Sequence, residues 1–375
     1  MHFRKIGLQC FISRLRMSRL TRMNTEPNHT KIDFKGLTPR EIDGVCADRL
    51  GQKPGQGLRT AVWLYRRKME DFDSMADLNR PFREQLRKHC AISRLSIAKR
   101  IVSEDGTEKF LYRLDDGNTV EGVLIPGPGR LTLCVSSQVG CASGCGFCRT
   151  GSGGLVRNLT AAEIVNQFFA AHGVAAGAIT NIVLMGTGEP FSNYDAVKTF
   201  VQIATDRYGM GYSGKKITIS TCGIAPMIER LAMDGVDASL AVSLNATTDE
   251  LRDRIMPVNK TYPLTRLMRA LHHYCESTGN TVTIEYVLFK GINDSFEDAK
   301  QLRDLLDGLP CMVNLLIFNP FPGSEFERPD EERVYSFRDF LLNHGCVTVV
   351  RSSRGKDIHA ACGQLRAATS VPDKK

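Results

Sequence analysis

Over the last two-thirds of the chain, short apolar runs rich in β-branched residues alternate with amphipathic stretches. The runs fall at 131–136, 179–185, 216–221, 238–244, 281–289 and 312–318. Between and after them, positions near 160–172, 193–206, 224–234, 261–278, 295–308 and 330–344 follow the helical period. Strands that are apolar along nearly their whole length are covered on both faces, as in parallel sheets flanked by helices. Six such units are too few for a closed eight-stranded barrel. The expected fold is therefore α/β, a partial (βα)6 TIM-like barrel, with its chemistry at the C-terminal ends of the strands.

The first third follows a different pattern. Residues 24–36 are polar and contain Pro27-Asn28, as a linker would. Thr38-Pro39-Arg40-Glu41 has the form of a helix start, with a hydroxyl at the N-cap, proline at N1 and an acid at N3. Further helices are expected over 60–69 and 81–90. Residues 98–125 alternate, with Asp105-Gly106 and Asp116-Gly117 as turns, which predicts a β-hairpin or meander. The expected division is a basic, disordered extension (1–30), a helical accessory domain (31–98), a β-hairpin connector (99–125), the core (126–358) and a C-terminal segment (359–375).

Charge adds to this picture. Of the 375 residues 42% are hydrophobic, ample for a core, and no run approaches the roughly 18 apolar residues needed to cross a bilayer. Residues 1–120 hold 24 Lys/Arg against 15 Asp/Glu (+9), whereas 121–375 hold 25 against 26 (−1). A basic appendage on a neutral body suggests a polyanion-binding module, with an ordinary solvated surface as the alternative. Arg66-Arg67-Lys68 and the basic positions of 80–88, near Trp63 and Tyr65, are its candidate contacts. The first 22 residues carry six Lys/Arg but no apolar h-region. A reducing, cytoplasmic setting is expected, where clustered cysteines signal metal or catalysis.

The decisive cluster is Gly140-Cys141-Ala142-Ser143-Gly144-Cys145-Gly146-Phe147-Cys148, directly after the first core strand. Three thiolates within eight residues can converge on one centre, and the glycines allow the tight backbone. A structural zinc site wants four protein ligands, and no second paired-cysteine knuckle is present. Three thiolates on a four-iron cluster leave one iron open. Here the sequence resembles the radical S-adenosylmethionine (SAM) enzymes. The resemblance implies a 4Fe-4S cluster on Cys141, Cys145 and Cys148, and SAM as cofactor. One βα unit later, Gly186-Thr187-Gly188-Glu189-Pro190 matches the turn that such enzymes use for the methionine amino group. Gly188, Glu189, Ser220, Ser243, Leu244, Asn245 and Asn319 are the candidate SAM contacts, each at a strand's C-terminal end.

Cys134, seven residues before the cluster motif, and Cys362, near the chain end, carry the resemblance further. With Ser136-Ser137-Gln138-Val139-Gly140, the segment 319–323, Arg351-Ser352-Ser353-Arg354-Gly355 and Asp357-Ile358-His359, they resemble the RlmN/Cfr family of RNA adenine methyltransferases. The resemblance runs from about Glu121 to Leu365. In that family's scheme Cys362 would be methylated on sulfur, and a radical formed on that methyl carbon would add to adenine. Cys134 would then resolve the covalent protein–RNA species through a transient disulfide, with Glu121 as proton acceptor. The implied substrate is carbon 2 of an adenosine in 23S rRNA, and of tRNA. Reduction would come from a donor such as flavodoxin, and the enzyme would be a monomer. The alternative is carbon 8 of the same rRNA base. Two more distant alternatives are a radical SAM enzyme on another substrate, which would not need the Cys134–Cys362 pair, and a non-catalytic zinc protein that binds RNA. Asn245 stands where many members have histidine, and His359 where an acid is frequent.

Overall fold

The computed structural model describes residues 31–321 and 323–365. The expected basic extension, and the last ten residues of the C-terminal segment, lie outside the described residues.

The first module begins with β1 (Ile32–Asp33), which pairs parallel with β2 (Cys90–Ala91) and so brings the two ends of the module together. Between them lie helices Pro39–Leu50, Gln56–Ala61 and Arg80–His89. Thr38 and Glu41 form the capping box that their spacing predicts: Glu41 N–H donates to Thr38 Oγ1 and Thr38 N–H to Glu41 Oε2. The second helix starts at Gln56, earlier than expected, because the Asp43 carboxylate accepts N–H groups from Gly55, Gly57 and Leu58. It continues as a π-helical turn over Val62–Arg66. Phe34, Ile42, Leu64, Tyr65, Phe82 and Leu86 are buried as this module's core.

The remaining strands build one ten-stranded sheet and a small ribbon. A meander of β3 (Ser96–Val102), β4 (Glu108–Arg113) and β5 (Thr119–Gly127) leads into β6 (Arg130–Cys134). The ribbon is β7 (Gln138–Gly140) against β8 (Leu155–Asn158), antiparallel. Then follow β9 (Asn181–Leu184), β10 (Ile217–Thr221), β11 (Ser239–Ser243), β12 (Val282–Leu288), β13 (Cys311–Ile317) and β14 (Thr348–Arg351). The sheet order is β14-β13-β12-β11-β10-β9-β6-β5-β4-β3.

Within the ten-stranded sheet every pair from β6 to β14 is parallel, and β5, β4 and β3 add antiparallel on the far side of β6. The barrel is therefore partial: β5 occupies the edge of β6 that closure would need. All six expected core strands are present, each with a helix after it. Leu133, Ile182, Leu184, Ile219, Leu240, Val242, Ile284 and Leu315 are buried between sheet and helices. The sequence reading had omitted β14, a four-residue edge strand whose Val349 is exposed. No helix of the described residues is long and apolar enough to cross a membrane.

Candidate functional site

At the C-terminal end of β6 the chain turns through Val135–Ser137 into the β7–β8 ribbon, and the cysteine loop is the excursion between these two strands. Cys141 N–H donates to Gly154 O (2.9 Å), which closes the loop at its base. Gly140 sits there at φ +77, and a Cβ on it would lie 2.0 Å from Gly154 O, so only glycine fits. Inside the loop, Cys148 N–H donates to Cys145 O and Gly151 N–H to Cys148 O, winding the backbone around its own sulfurs. Cys141 is buried, Cys145 and Cys148 half-buried, and all three lie within electrostatic reach of one another. Among the described residues no three His, Cys, Asp or Glu close on a single ion. Soft thiolate is the donor that iron–sulfur clusters take, and the donor set of this loop fits such a centre.

Burial raises the Cys141 and Cys145 thiols above their ordinary range, so iron binding there would release protons. The opposing charge is Arg252. Its side chain is completely buried, and it donates to Leu244 O, Ser243 O, Cys222 O and Asn259 Oδ1. Burial pushes this guanidinium's pKa down, while the Cys222 and Cys145 thiols favour its charged form. It ties the ends of β10 and β11 to one another and places a positive charge within electrostatic reach of Cys145. In sequence, Arg252 belongs to a run of alternating charges that reads as a solvated helix face.

The turn after β9 packs against the segment after β6. Ser137 N–H donates to Thr187 O, Thr187 N–H to Ser136 Oγ, and Glu189 N–H to Gln138 Oε1. A Cβ on Gly188 (φ +110) would lie 2.6 Å from Gln138 Cβ, so the backbones approach too closely for any side chain. Glu189 is buried and its carboxylate accepts Phe191 N–H and Cys222 N–H. Burial raises its pKa against those bonds. Its oxygens thus brace β9 to β10, which spacing alone did not foretell.

Gly188, Glu189, Ser220, Ser243, Leu244, Asn245 and Asn319 all lie at C-terminal strand ends on one rim, with Ser220 and Ser243 half-buried. The Asn245 side chain points inward, accepting Val287 N–H and contacting Met256 Sδ, with its backbone at φ +59. Asn319 donates to Ser353 Oγ and ties β13 to the segment after β14.

The residues at the two ends of the core meet here as well. Cys134 closes β6 opposite Val123 of β5, and it packs with Val123, Ala360 and Leu365. The C-terminal segment is fastened to the cysteine loop itself: Arg149 N–H donates to Gly363 O (2.7 Å) and Thr150 Oγ1 to Leu365 O (2.5 Å). Cys362 is thereby placed within electrostatic reach of Cys134, Cys148, Glu285 and Arg351. Cys362 is exposed, yet desolvation by the surrounding protein raises its thiol, with Glu285 adding and Arg351 opposing. The Cys134 thiol is pushed up to about 12 by burial, with Cys362 adding.

Glu121 lies on β5, 6% exposed, with its Oε1 3.3 Å from Lys109 Nζ. Its main-chain oxygen accepts Ser136 Oγ–H (2.6 Å), which levels it with the end of β6. Sequence reasoning passed over Lys109, Arg252 and Glu285, because none has a recognisable spacing, and it offered Arg351 only as part of the segment 351–355. It also offered Tyr65 for stacking, but Tyr65 is buried, with its hydroxyl between Phe34 O and Leu37 O.

A partial parallel barrel with this three-cysteine loop after its first strand defines the radical SAM class. Residues 135–305 match the model of the Radical SAM superfamily, and residues 32–92 that of the ribosomal RNA large subunit methyltransferase N-terminal domain. The dual-specificity RNA methyltransferase RlmN of Syntrophotalea carbinolica is 47% identical over 343 residues, covering 91% of each chain. That of Halorhodospira halophila is 47% identical over 345 residues, covering 92% of this chain and 96% of the other. The crystal structure of a radical SAM methyltransferase from Sphaerobacter thermophilus, 43% identical, superposes with a TM-score of 0.84 over 90% of this chain and 100% of that one. The chain belongs to the RlmN family of radical SAM RNA methyltransferases, whose chemistry uses a 4Fe-4S cluster and SAM.

Proposed function

We propose that this enzyme methylates carbon 2 of an adenosine in the peptidyl transferase centre of 23S rRNA, and of an adenosine in a tRNA anticodon loop. The observation that carries the reading is the fastening of the Cys362 segment to the cysteine loop through Arg149 and Thr150, which puts one thiol between that loop and Cys134. The relatives' printed names, dual-specificity RNA methyltransferases, support two RNA substrates.

In this reading Cys141, Cys145 and Cys148 hold the cluster, and Gly188, Glu189, Ser220, Ser243, Leu244, Asn245 and Asn319 border SAM. Bound there, cluster and SAM supply the electron and the carbon radical that an unreactive ring carbon demands. Cys362 receives a methyl group on sulfur and presents that methyl carbon to the base. Glu121, a carboxylate on the same sheet face as Cys134, accepts the proton that leaves the ring. Cys134, losing its proton, bonds to the Cys362 sulfur as the bond from that sulfur to the transferred carbon breaks, which closes a disulfide and releases the base. The carbon keeps the electron pair and takes a proton to become the methyl group, and the unpaired electron of the adduct would pass back to the bound cluster. Because burial keeps Cys134 a neutral thiol at pH 7, that release quickens as pH rises towards 9.

The division into extension, accessory RNA-binding domain (31–98), connector (99–125), core (126–358) and reactive C-terminal segment belongs to the same proposal. So do a cytoplasmic monomer and a reductant such as flavodoxin. Nucleoside mass spectrometry of rRNA and tRNA treated with reduced enzyme and methyl-labelled SAM tests it. Labelled 2-methyladenosine is expected from the intact protein and none from Cys362→Ala. 8-Methyladenosine would transfer the assignment to carbon 8, and SAM cleavage without base methylation would overturn the RNA assignment.

A further inference from the structure

Between the residues assigned above as proton acceptor and methyl carrier lies a half-buried cation that the mechanism has not used. Lys109 stands on β4, with its side chain 13% exposed. Its Nζ lies 3.3 Å from Glu121 Oε1 and donates to His359 O at 3.2 Å. Register explains the meeting: Lys109 pairs with Val123, Leu111 with Glu121, and Val123 with Cys134. Lys109, Glu121, Val123 and Cys134 therefore share one face of the sheet. The Cys362 segment crosses that same face.

We propose that Lys109 is a positioning residue that holds the Glu121 carboxylate and the Cys362 segment in one fixed geometry; the proposal rests on the roles given to both above. His359, three residues before Cys362, is the place where the segment needs holding. It is a non-glycine residue at φ +50, a conformation that persists only where the surroundings over-determine it. The His359 carbonyl is the atom that Lys109 grips, so the residue's imidazole is not required for the grip.

A cavity of about 220 Å³ lies beside the carboxylate, lined by Lys99, Ile101, Lys109, Leu111 and Glu121. Without the ammonium of Lys109, Glu121 has room to swing away from Cys134. The rest of the segment stays fastened by other bonds: Ser103 Oγ to Asp357 Oδ1, Gly355 N–H to Asp105 Oδ2, and Arg149 N–H to Gly363 O. Lys109 is thus separable from the anchoring of the segment as a whole. It changes no bond itself. The step it serves passes one proton from the ring carbon to the Glu121 carboxylate, and the C–H electron pair stays in the ring.

The test compares Lys109→Met and Lys109→Arg with Glu121→Gln and Asp357→Asn in the full, reconstituted enzyme. Three quantities are read: methyl loading on Cys362 by peptide mass, the covalent protein–RNA species on denaturing gels, and methyladenosine formed. For Lys109→Met, loading is expected within about twofold of the parent, product down about tenfold or more, and the covalent species accumulating as in Glu121→Gln. Lys109→Arg, which keeps a cation able to reach two acceptors, is expected to restore product to within about threefold. Asp357→Asn, which loosens the segment without touching Glu121, lowers loading and product together.

Parent-like product from Lys109→Met overturns the brace, as does a parallel fall of its loading and product, or failure of the arginine to restore turnover. If Glu121→Gln itself turns over normally, the role of Glu121 fails and the brace fails with it. That outcome is read from a variant that leaves Lys109 intact, so the two failures are distinguishable.

Discussion

The cysteine loop and the Cys362 segment meet at one site but are held by opposite means. The loop is local: its three thiols span eight residues, its base closes through Gly140 and Gly154, and its own amides wind it. The segment has almost no structure of its own. It is fixed by bonds to residues more than two hundred positions away: Ser103, Asp105, Lys109, Arg149 and Thr150. A locally built site keeps its shape through modest global strain. A site assembled from distant segments depends on each fastening, and it can be loosened in steps.

The largest effect expected is on the local side. Cys145→Ser should abolish iron and sulfide binding and all SAM cleavage, a loss of about a thousandfold or more, because two thiolates cannot hold the cluster. Iron analysis with a SAM-cleavage assay decides it, and a variant that keeps stoichiometric iron would break the comparison. Next is Gly188→Ala, where the added carbon would strike Gln138 in a left-handed backbone. It should destabilise the fold by about 3 kcal/mol, lowering the midpoint of denaturant unfolding, since both overpacking and strain act there.

The third concerns the thiols packed in the sheets and the accessory module. Burial raises Cys46, Cys90 and Cys134 from 9.0 to about 12 each. Below about pH 8 these groups are protonated in both states and contribute almost no pH dependence. Above it the unfolded chain releases protons that the native chain keeps, so stability falls, by about 2 kcal/mol in sum near pH 9.5. Anaerobic unfolding at pH 8 and at about pH 9.5 reads this difference. Stability that rises over that interval would contradict it. The smallest effect expected is that of Thr150→Val, which removes one bond to the C-terminal segment and should cost about 1 kcal/mol. Hydrogen exchange should rise at Cys362–Leu365 and leave Cys141–Cys148 unchanged, a contrast that sharpens the comparison directly.

How far the sequence showed these features follows the same division. The six core strands announced themselves because each is largely buried and nearly continuous in apolar or β-branched residues, as at Val282–Leu288, where Glu285 alone is charged. β14 was missed because four residues at a sheet edge, with Val349 turned outward, leave too little pattern. The capping box at Thr38 was legible because donor and acceptor lie three residues apart. The start of the next helix was not, because its cap, Asp43, acts from twelve residues away on Gly55. Glu189 could be recognised as a carboxylate in a glycine-rich turn, but its bonds to the Phe191 and Cys222 amides required β9 and β10 to stand side by side.

By itself the sequence determined the alternation of strand and helix, the spacing of the cysteines, and the basic first third, because periodicity, short-range spacing and charge are properties of neighbouring residues. Only the tertiary structure decided that β5 would take the open edge of β6, that Arg252 would be buried beside Cys145, and that Lys109 would lie between Glu121 and His359. Those meetings depend on strand order and register, and a buried charge finds its partners only after the sheet has brought distant segments within a few ångströms.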